Sequence, residues 1–328
     1  MGTLFSATKR FLTKEAFVGI FLIMLVVFLN FTTVGFLTSQ NILDILLDIS
    51  FILVAAIGMT MIIITGNIDV SFGSILAVLA LTAGQLAKAG VPVPVYFLII
   101  LVLGGILGGI NGILITKFKV PSIIATLGMI QIHRGLIVVI TQGYWIHELP
   151  PSFNYIGTGR LLGIQIPTLI AAVVVVIAWW FMKYSRFSRK IYAVGSNKEA
   201  ARLAGINVNK VVLLVFIMAG VLVAIATMIY ATRFITIQSN AGIGFEMVVI
   251  TAVVVGGTNI MGGSGKIWGT VLGALLLGVI GTGLTFLKIS SYWEQTFQGL
   301  LILVAVLGGV SQYYKERKTI IVEGSEVK

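Results

Sequence analysis

Long apolar runs separated by short polar joints dominate the chain from residue 16 onward. A helix needs about 20 predominantly apolar residues to cross the hydrocarbon of a bilayer. The pattern therefore predicts an all-α polytopic membrane protein with about ten transmembrane helices. We place these helices near residues 16–36, 42–65, 69–87, 93–116, 121–141, 164–182, 210–232, 244–260, 267–287 and 293–312.

One long polar interval, residues 183–210, divides the apolar chain into two halves. It contains seven basic residues and one acid, Glu199, so the positive-inside rule predicts that it lies on the cytoplasmic side. Ser196 and Glu199 have the spacing of a capping box, and Gly205 stands where a helix is expected to end. Lys198–Ala204, between them, are mostly good helix formers, which predicts a helix of about two turns.

A helix this short does not persist in water on its own propensity, so it must bind something or lie against the membrane. Our working hypothesis is that it docks into a separate cytoplasmic protein. The simpler interpretation, a surface loop with one helical turn that binds nothing, stays open from the residues alone.

The basic residues also predict the orientation of the chain. With the N-terminus in the cytoplasm, most of the 22 lysines and arginines lie on the cytoplasmic side, and Arg134 lies within a span. The exceptions are Lys88, Arg160, Arg233 and Lys288. We therefore expect one transmembrane domain over residues 1–328, with a cytoplasmic N-terminal segment (1–15), the cytoplasmic interval 183–210 and a cytoplasmic tail (313–328).

Composition excludes several classes of protein. The chain is 58% hydrophobic and 10% charged, which excludes an ordinary soluble domain. Its net charge of +11 would suggest nucleic acid in a soluble chain, but here the cations fall between spans, so we expect no nucleic acid partner. Without cysteine and with two histidines, we expect no metal site.

An enzymatic function has no support in the motifs. The segment Gly263–Lys266 resembles a phosphate loop, but Ile260 and Ile267 stand where that motif needs glycine and a hydroxyl residue. No nucleophile elbow or metalloprotease motif is present, so we expect no catalytic residue and no cofactor.

Glycines and joints show two further patterns. Small residues at four-residue spacing predict close helix packing in the fourth span and in the ninth span. These glycines are Gly104, Gly105, Gly108, Gly109 and Gly112, followed by Gly269 and Gly273. The joints 66–75 and 259–267 share Asn-Ile, a glycine and an isoleucine at equal offsets, which suggests an internal repeat.

Ionisable residues within the spans are few, and each is a functional candidate because its burial is costly. Asp44 and Asp48 lie near the outer face, where we expect simple hydration. Arg134 is either functional or a structural ion pair or carbonyl cap. The outer loop 142–163 is either an interfacial loop or a platform that receives a delivered solute.

Four ordered motifs resemble the permease subunits of ribose-type ATP-binding-cassette importers. These are Gly66–Ile75, PSIIATLGMIQIHRGL at 121–136, GSNKEAARLAGI at 195–206 and the glycine-rich segment 245–274. The resemblance covers roughly residues 40–310 and implies the fold of a type II-like importer permease. Asn67 in the first motif, together with Tyr144–Pro150, is similar to the branch that imports autoinducer-2 and to nearby rhamnose permeases.

The resemblance also implies roles and partners. It implies an ATPase dimer, an extracytoplasmic solute-binding protein, a second permease copy or a sister permease, and membrane lipid around the spans. It implies a helix that couples the chain to the ATPase, comprising Ser196, Asn197, Lys198, Glu199, Ala200, Ala201, Arg202, Leu203, Ala204 and Gly205. It places Asn67, Asp69 and Ser71 at a joint of the translocation core, and Arg134 in the fifth-span motif.

These observations predict the membrane subunit of an ATP-driven importer for a sugar or sugar-like solute, in the bacterial plasma membrane. By polarity, Asn67, Ser71, Asn111, Gln131 and Asn259 are the candidates for contacting a neutral polyol along the translocation pathway. Three alternatives remain: a self-sufficient secondary transporter or channel, a permease for another small solute such as a branched-chain amino acid, and a scaffolding subunit.

Overall fold

A computed structural model of the chain describes residues 14–290, 292–305 and 307. Helices make up most of this part. In chain order the elements are α1 (Lys14–Thr32), α2 (Ser39–Ile64), α3 (Phe72–Lys88), α4 (Val93–Thr116), α5 (Ser122–Thr141), α6 (Pro151–Thr158), β1 (Arg160–Leu161), β2 (Ile164–Gln165), α7 (Ile166–Tyr184), α8 (Arg186–Ser196), α9 (Lys198–Leu203), α10 (Val208–Ala231), α11 (Phe245–Val255), α12 (Ile267–Phe286) and α13 (292–305).

Every predicted span coincides with one of these helices, so the prediction of an all-α polytopic chain is confirmed. In the described part, seven helices are long and apolar enough to cross a membrane. The helices α3 and α11 are apolar but shorter, with 17 and 11 residues. The predicted tail 313–328, most of the N-terminal segment 1–15 and the end of the last span lie outside the described residues.

The helix α2 forms the centre of the bundle. All residues from Leu53 to Ile64 are buried, because α10, α11, α12 and α7 pack around this half of α2. Gly58 lets α10 approach closely, since a Cβ there would lie 3.1 Å from the Cα of Ala219. A hydrogen bond of 2.6 Å between the hydroxyls of Thr60 and Thr270 ties α2 to α12 inside this core.

The glycine faces pack as the sequence predicted. In α4, a Cβ on Gly104 or Gly108 would overlap the backbone of α10 around Gly220. In α12, a Cβ on Gly269 or Gly273 would overlap the carboxyl end of α11. Bare backbone at these positions therefore permits helix contacts closer than any side chain would allow.

The outer loop contains structure that the sequence did not predict. It folds into α6 and a two-residue hairpin in which Arg160 pairs with Gln165. Asn154 donates hydrogen bonds to the carbonyl oxygens of Thr232 and Phe234, at 3.0 and 2.8 Å, and anchors the loop to the segment after α10. Phe153 is fully buried and lies 6.0 Å from the ring of Tyr96, so it is a packing residue rather than an interfacial aromatic.

Candidate functional site

The polar interval 183–210 folds into two short helices joined at Asn197. The first, α8, is amphipathic and packs on the bundle through Ser188, Ile191 and Val194. Its N-terminus is capped by the hydroxyl of Ser185, which accepts a hydrogen bond of 2.8 Å from the backbone N–H of Ser188. The sequence did not predict α8, because its many cations concealed two apolar contact positions at helical spacing, Ile191 and Val194.

The second helix, α9, projects from the bundle. Of its six residues only Ala201 is buried, and Leu203 is 89% exposed. Glu199 and Arg202 form an ion pair of 2.9 Å along its surface. Gly205, with φ of +78°, follows the helix in the left-handed conformation that commonly ends helices. An exposed leucine on a short charged helix is suited to contact with another protein.

The predicted capping box is wrong in one detail. Ser196 is the last residue of α8 and does not cap α9. The side chain of Asn197 takes that position and accepts hydrogen bonds of 3.0 Å from the backbone N–H groups of Glu199 and Ala200. Asparagine is among the best N-cap residues, so this signal was present in the sequence.

Two joints between helices meet beneath α8. The first joint (residues 65–71) links α2 to α3, and the second joint (residues 256–266) links α11 to α12. The backbone N–H of Gly263 donates a hydrogen bond of 2.9 Å to the carbonyl oxygen of Ile64, at the end of α2. A Cβ on Gly262 would lie 3.0 Å from the Cα of Gly66, and both glycines have positive φ. The two predicted repeat segments therefore touch each other.

The helix α8 contacts this junction directly. A Cβ on Gly195 would overlap the carbonyl oxygen of Ile64 and would lie 2.6 Å from the nitrogen of Gly263. Tyr192 donates a hydrogen bond of 2.8 Å to the carbonyl oxygen of Gly265. Burial raises the pKa of the Tyr192 phenol, which favours the protonated form that donates this bond. The exposed helix α9 is thus attached, through α8, to the end of α2 and to the second joint.

A buried polar network fixes the first joint. The carboxylate of Asp69 accepts hydrogen bonds from the backbone N–H and the hydroxyl of Ser71, at 2.8 and 2.6 Å, and from the amide of Asn111 in α4, at 3.0 Å. Asn111 also donates to the hydroxyl of Ser71 at 2.8 Å. These three residues are at most 1% exposed. Asn67 is buried beside them and donates to the hydroxyl of Thr65 at 2.9 Å.

The helix α5 holds the other side of the first joint. The hydroxyl of Ser122 accepts a hydrogen bond of 3.2 Å from the backbone N–H of Ile68. The hydroxyl of Thr126 accepts one of the same length from the backbone N–H of Val70. Further along α5, the Nδ1 atom of His133 lies 3.0 Å from the hydroxyl of Ser74 in α3. These contacts could not be predicted from the sequence, because hydroxyls in apolar helices usually bond to their own backbone.

Arg134 takes a structural position. It donates a hydrogen bond of 2.8 Å to the carbonyl oxygen of Ala241, and the charge of Glu246 lies near it. The contact joins α5 to the loop before α11. The carbonyl-cap interpretation of Arg134 describes this contact, and a role in translocation remains a prediction.

Gln131 and Asn259 lie apart from the buried network. Gln131 is exposed on α5, between Gly128 and Gly135, where an added Cβ would meet nothing within 4 Å. Asn259 is partly buried in the second joint, where its side chain accepts a hydrogen bond of 3.1 Å from the backbone N–H of Met261. Of the polar pathway candidates, Gln131 is therefore the one whose side chain is exposed and has no described hydrogen-bond partner.

Asp48 is not simply hydrated, as the sequence had suggested. Its carboxylate forms an ion pair of 2.6 Å with Arg233, which follows α10. Asp44 accepts a hydrogen bond of 2.8 Å from Gln40 on the same helix face. Both acids therefore have local partners near one end of α2.

Comparisons with known proteins agree with the motifs. The family described as "Branched-chain amino acid transport system / permease component" matches residues 41–306. A ribose import permease protein of Haemophilus influenzae is 39% identical over 303 residues, 91% of this chain and 93% of that protein.

Two further relatives cover most of the chain. The ribose import permease protein of Escherichia coli K12 is 37% identical over 304 residues, 92% of this chain and 94% of its own length. An autoinducer 2 import system permease protein of Salmonella typhi is 33% identical over 290 residues, 88% of this chain and 84% of its own length. No solved structure matches the chain.

Proposed function

This chain belongs to the family of branched-chain amino acid transport system permease components, and from that premise we propose that it translocates a sugar or sugar-like solute as the membrane subunit of an ATP-driven importer. The relatives that support this proposal import ribose or autoinducer 2. The chain is a multi-pass permease of the bacterial inner membrane and is not itself an enzyme. Energy must therefore come from a partner that hydrolyses ATP.

The attachment of α9, through α8, to the end of α2 and to the second joint is the observation that carries the proposal. Leu203 and the charged residues of α9 face outward, where a cytoplasmic ATPase dimer can bind them. Gly195 lies against the carbonyl oxygen of Ile64 and the nitrogen of Gly263, and Tyr192 bonds to Gly265. The same segment is therefore connected to the end of α2 and to the second joint. A displacement of α9 by the ATPase therefore acts directly on the segments between the spanning helices, as alternating access requires.

The exposed face of α5 is the proposed lining of the pathway. Gln131 offers a donor and an acceptor to a hydroxylated solute, and the open positions at Gly128 and Gly135 leave room beside it. The polar groups of three candidates, Asp69, Ser71 and Asn111, form hydrogen bonds mainly with one another. We therefore assign these residues a structural role, stabilising the first joint. Asn67, Arg134 and Asn259 support the surrounding loops in the same way.

The remaining partners follow from the mechanism of an importer. An extracytoplasmic solute-binding protein delivers the solute to the outer loop, and a second copy of the chain or a sister permease completes the pathway along α5. Both termini lie in the cytoplasm in this proposal, because that orientation places the basic interval 183–210 beside the ATPase.

Transport in proteoliposomes tests the proposal. The permease together with its ATPase and binding protein should concentrate ribose or autoinducer 2 only when ATP is present inside, where the ATPase lies. Competition with rhamnose and with leucine then separates the sugar-like class from branched-chain amino acids. Solute accumulation by the permease alone under an ion gradient would overturn the proposal in favour of a secondary transporter.

A further inference from the structure

An apolar groove of roughly 600 Å³ runs along the outer surface between α4 and α10. Its floor is formed by Gly105 and Gly109, where an added Cβ would meet Val221 and Ile217 at 3.3 Å. Its walls are aliphatic side chains of the same two helices. Because both helices are of spanning length and composition, this surface faces the hydrocarbon of the membrane.

Two cations stand at one end of the groove. Lys117 follows the lining residue Ile113 by four positions, and Lys210 precedes the lining residue Ile217 by seven, so both lie on the groove faces of their helices. A hydrogen bond of 2.9 Å from Lys119 to the side chain of Asn209 holds the two helix ends together. Both cations are exposed, and neither forms an ion pair with a described residue.

We propose that this groove is a binding site for one anionic phospholipid, with an acyl chain between α4 and α10 and the headgroup phosphate on Lys117 and Lys210. Anionic headgroups are attracted to cations at the membrane surface, which matches the charge at this end. By helix rise, the lining from Leu101 to Ile113 extends over roughly 18 Å. One leaflet of a hydrocarbon core about 30 Å thick is of similar depth.

The site lies close to the coupling segment. Lys210 is in the first turn of α10, five residues after Gly205, and α9 contacts α10. A headgroup bound there adds negative charge beside a strongly basic interval. It therefore holds the start of α10 in place at the membrane surface, next to the helix that we assign to the ATPase.

Native mass spectrometry of the full-length detergent-solubilised protein tests the site directly. Phosphatidylglycerol and phosphatidylcholine with identical acyl chains are titrated separately onto the protein. We expect the wild-type protein to bind phosphatidylglycerol more tightly than phosphatidylcholine. The double variant Lys117→Gln/Lys210→Gln should lose this preference, because each cation removed lowers the affinity for phosphatidylglycerol by roughly fivefold. Lys183→Gln, which removes an exposed cation from α7, is the matched control and should keep the preference.

A groove-filling variant tests the acyl-chain half of the site. Ile106→Trp enlarges an exposed lining side chain and should weaken the binding of both lipids while its thermal unfolding stays that of the wild type. Equal binding of the two lipids to the wild-type protein, or an equal loss of preference in Lys183→Gln, overturns the proposal. So does unchanged lipid binding in a folded Ile106→Trp variant. A loss of dimers in that variant without loss of lipid would assign the groove to a second copy instead.

Discussion

The cap of α9 offers a sharp test of coupling. Asn197→Ala removes the side chain that accepts hydrogen bonds from Glu199 and Ala200, each 3.0 Å long. Loss of an asparagine N-cap costs about 1 kcal/mol, which corresponds to a change of about fivefold in the equilibrium constant between the folded and unfolded helix. The intrinsic helix propensity of six residues is too small to keep the helix folded, so its folding depends on contacts such as this cap.

We expect the ATPase to bind this variant more weakly, by up to about fivefold, and transport to fall accordingly. The rest of the bundle should be unchanged, because the cap side chain is exposed and its hydrogen bonds are to Glu199 and Ala200 of the same short helix. The assay measures the dissociation constant of the ATPase on nanodisc-embedded permease and the solute transported per ATP in proteoliposomes. Asn197→Asp retains an accepting oxygen and should restore both quantities.

A matched control exists in the same segment. Asn207 caps α10 in the same way, through a hydrogen bond of 3.0 Å from the backbone N–H of Lys210. Asn207→Ala therefore removes an equivalent cap, but α10 has 24 residues and is packed along most of its length. Equal losses of ATPase binding in the two alanine variants, or no loss in Asn197→Ala, would refute the assignment of α9 as the docking element.

Three further predictions concern the joints and the pathway. Gly195→Val should destabilise the permease in thermal unfolding, because its Cβ would overlap the carbonyl of Ile64, whereas Gly128→Ala faces open space and should be neutral. Asn111→Leu should lower the unfolding free energy by about 1–3 kcal/mol, measured by denaturant titration, because it removes the donor to the second oxygen of Asp69 in a buried site. The permease without its binding protein should bind solute no better than about millimolar in isothermal titration, because a pathway must release what it receives; a micromolar constant would contradict this.

The spanning helices could be predicted from sequence because their signal is local. An apolar run of about 20 residues identifies a spanning helix without any knowledge of which other helices pack against it. The glycine contacts were also predictable in kind, since the four-residue spacing of Gly104 and Gly108 places both on one helix face. The partner of that face, Gly220 of α10, could not be predicted, because helix pairing depends on contacts far apart in the chain.

The candidate site was predictable in residue type and not in arrangement. Asp69 and Ser71 were recognisable by polarity, but their bonds to Asn111 join residues about 40 positions apart. The boundary between α8 and α9 was missed because Ser196 and Glu199 satisfied a known spacing. Packing of Ile191 and Val194 extends α8 through Ser196, and this moves the cap to Asn197.

The contacts at Ile64 explain why a small exposed helix can move large ones. The carbonyl oxygen of Ile64 accepts a hydrogen bond from Gly263 in the second joint and lies against Gly195 of α8. No side chain separates these three backbones, so no flexible group can absorb a displacement. Close-packed interiors transmit strain rather than dissipate it. A shift of α8 therefore has to move the end of α2 and the second joint together, which is the concerted change that switching access from one membrane face to the other demands.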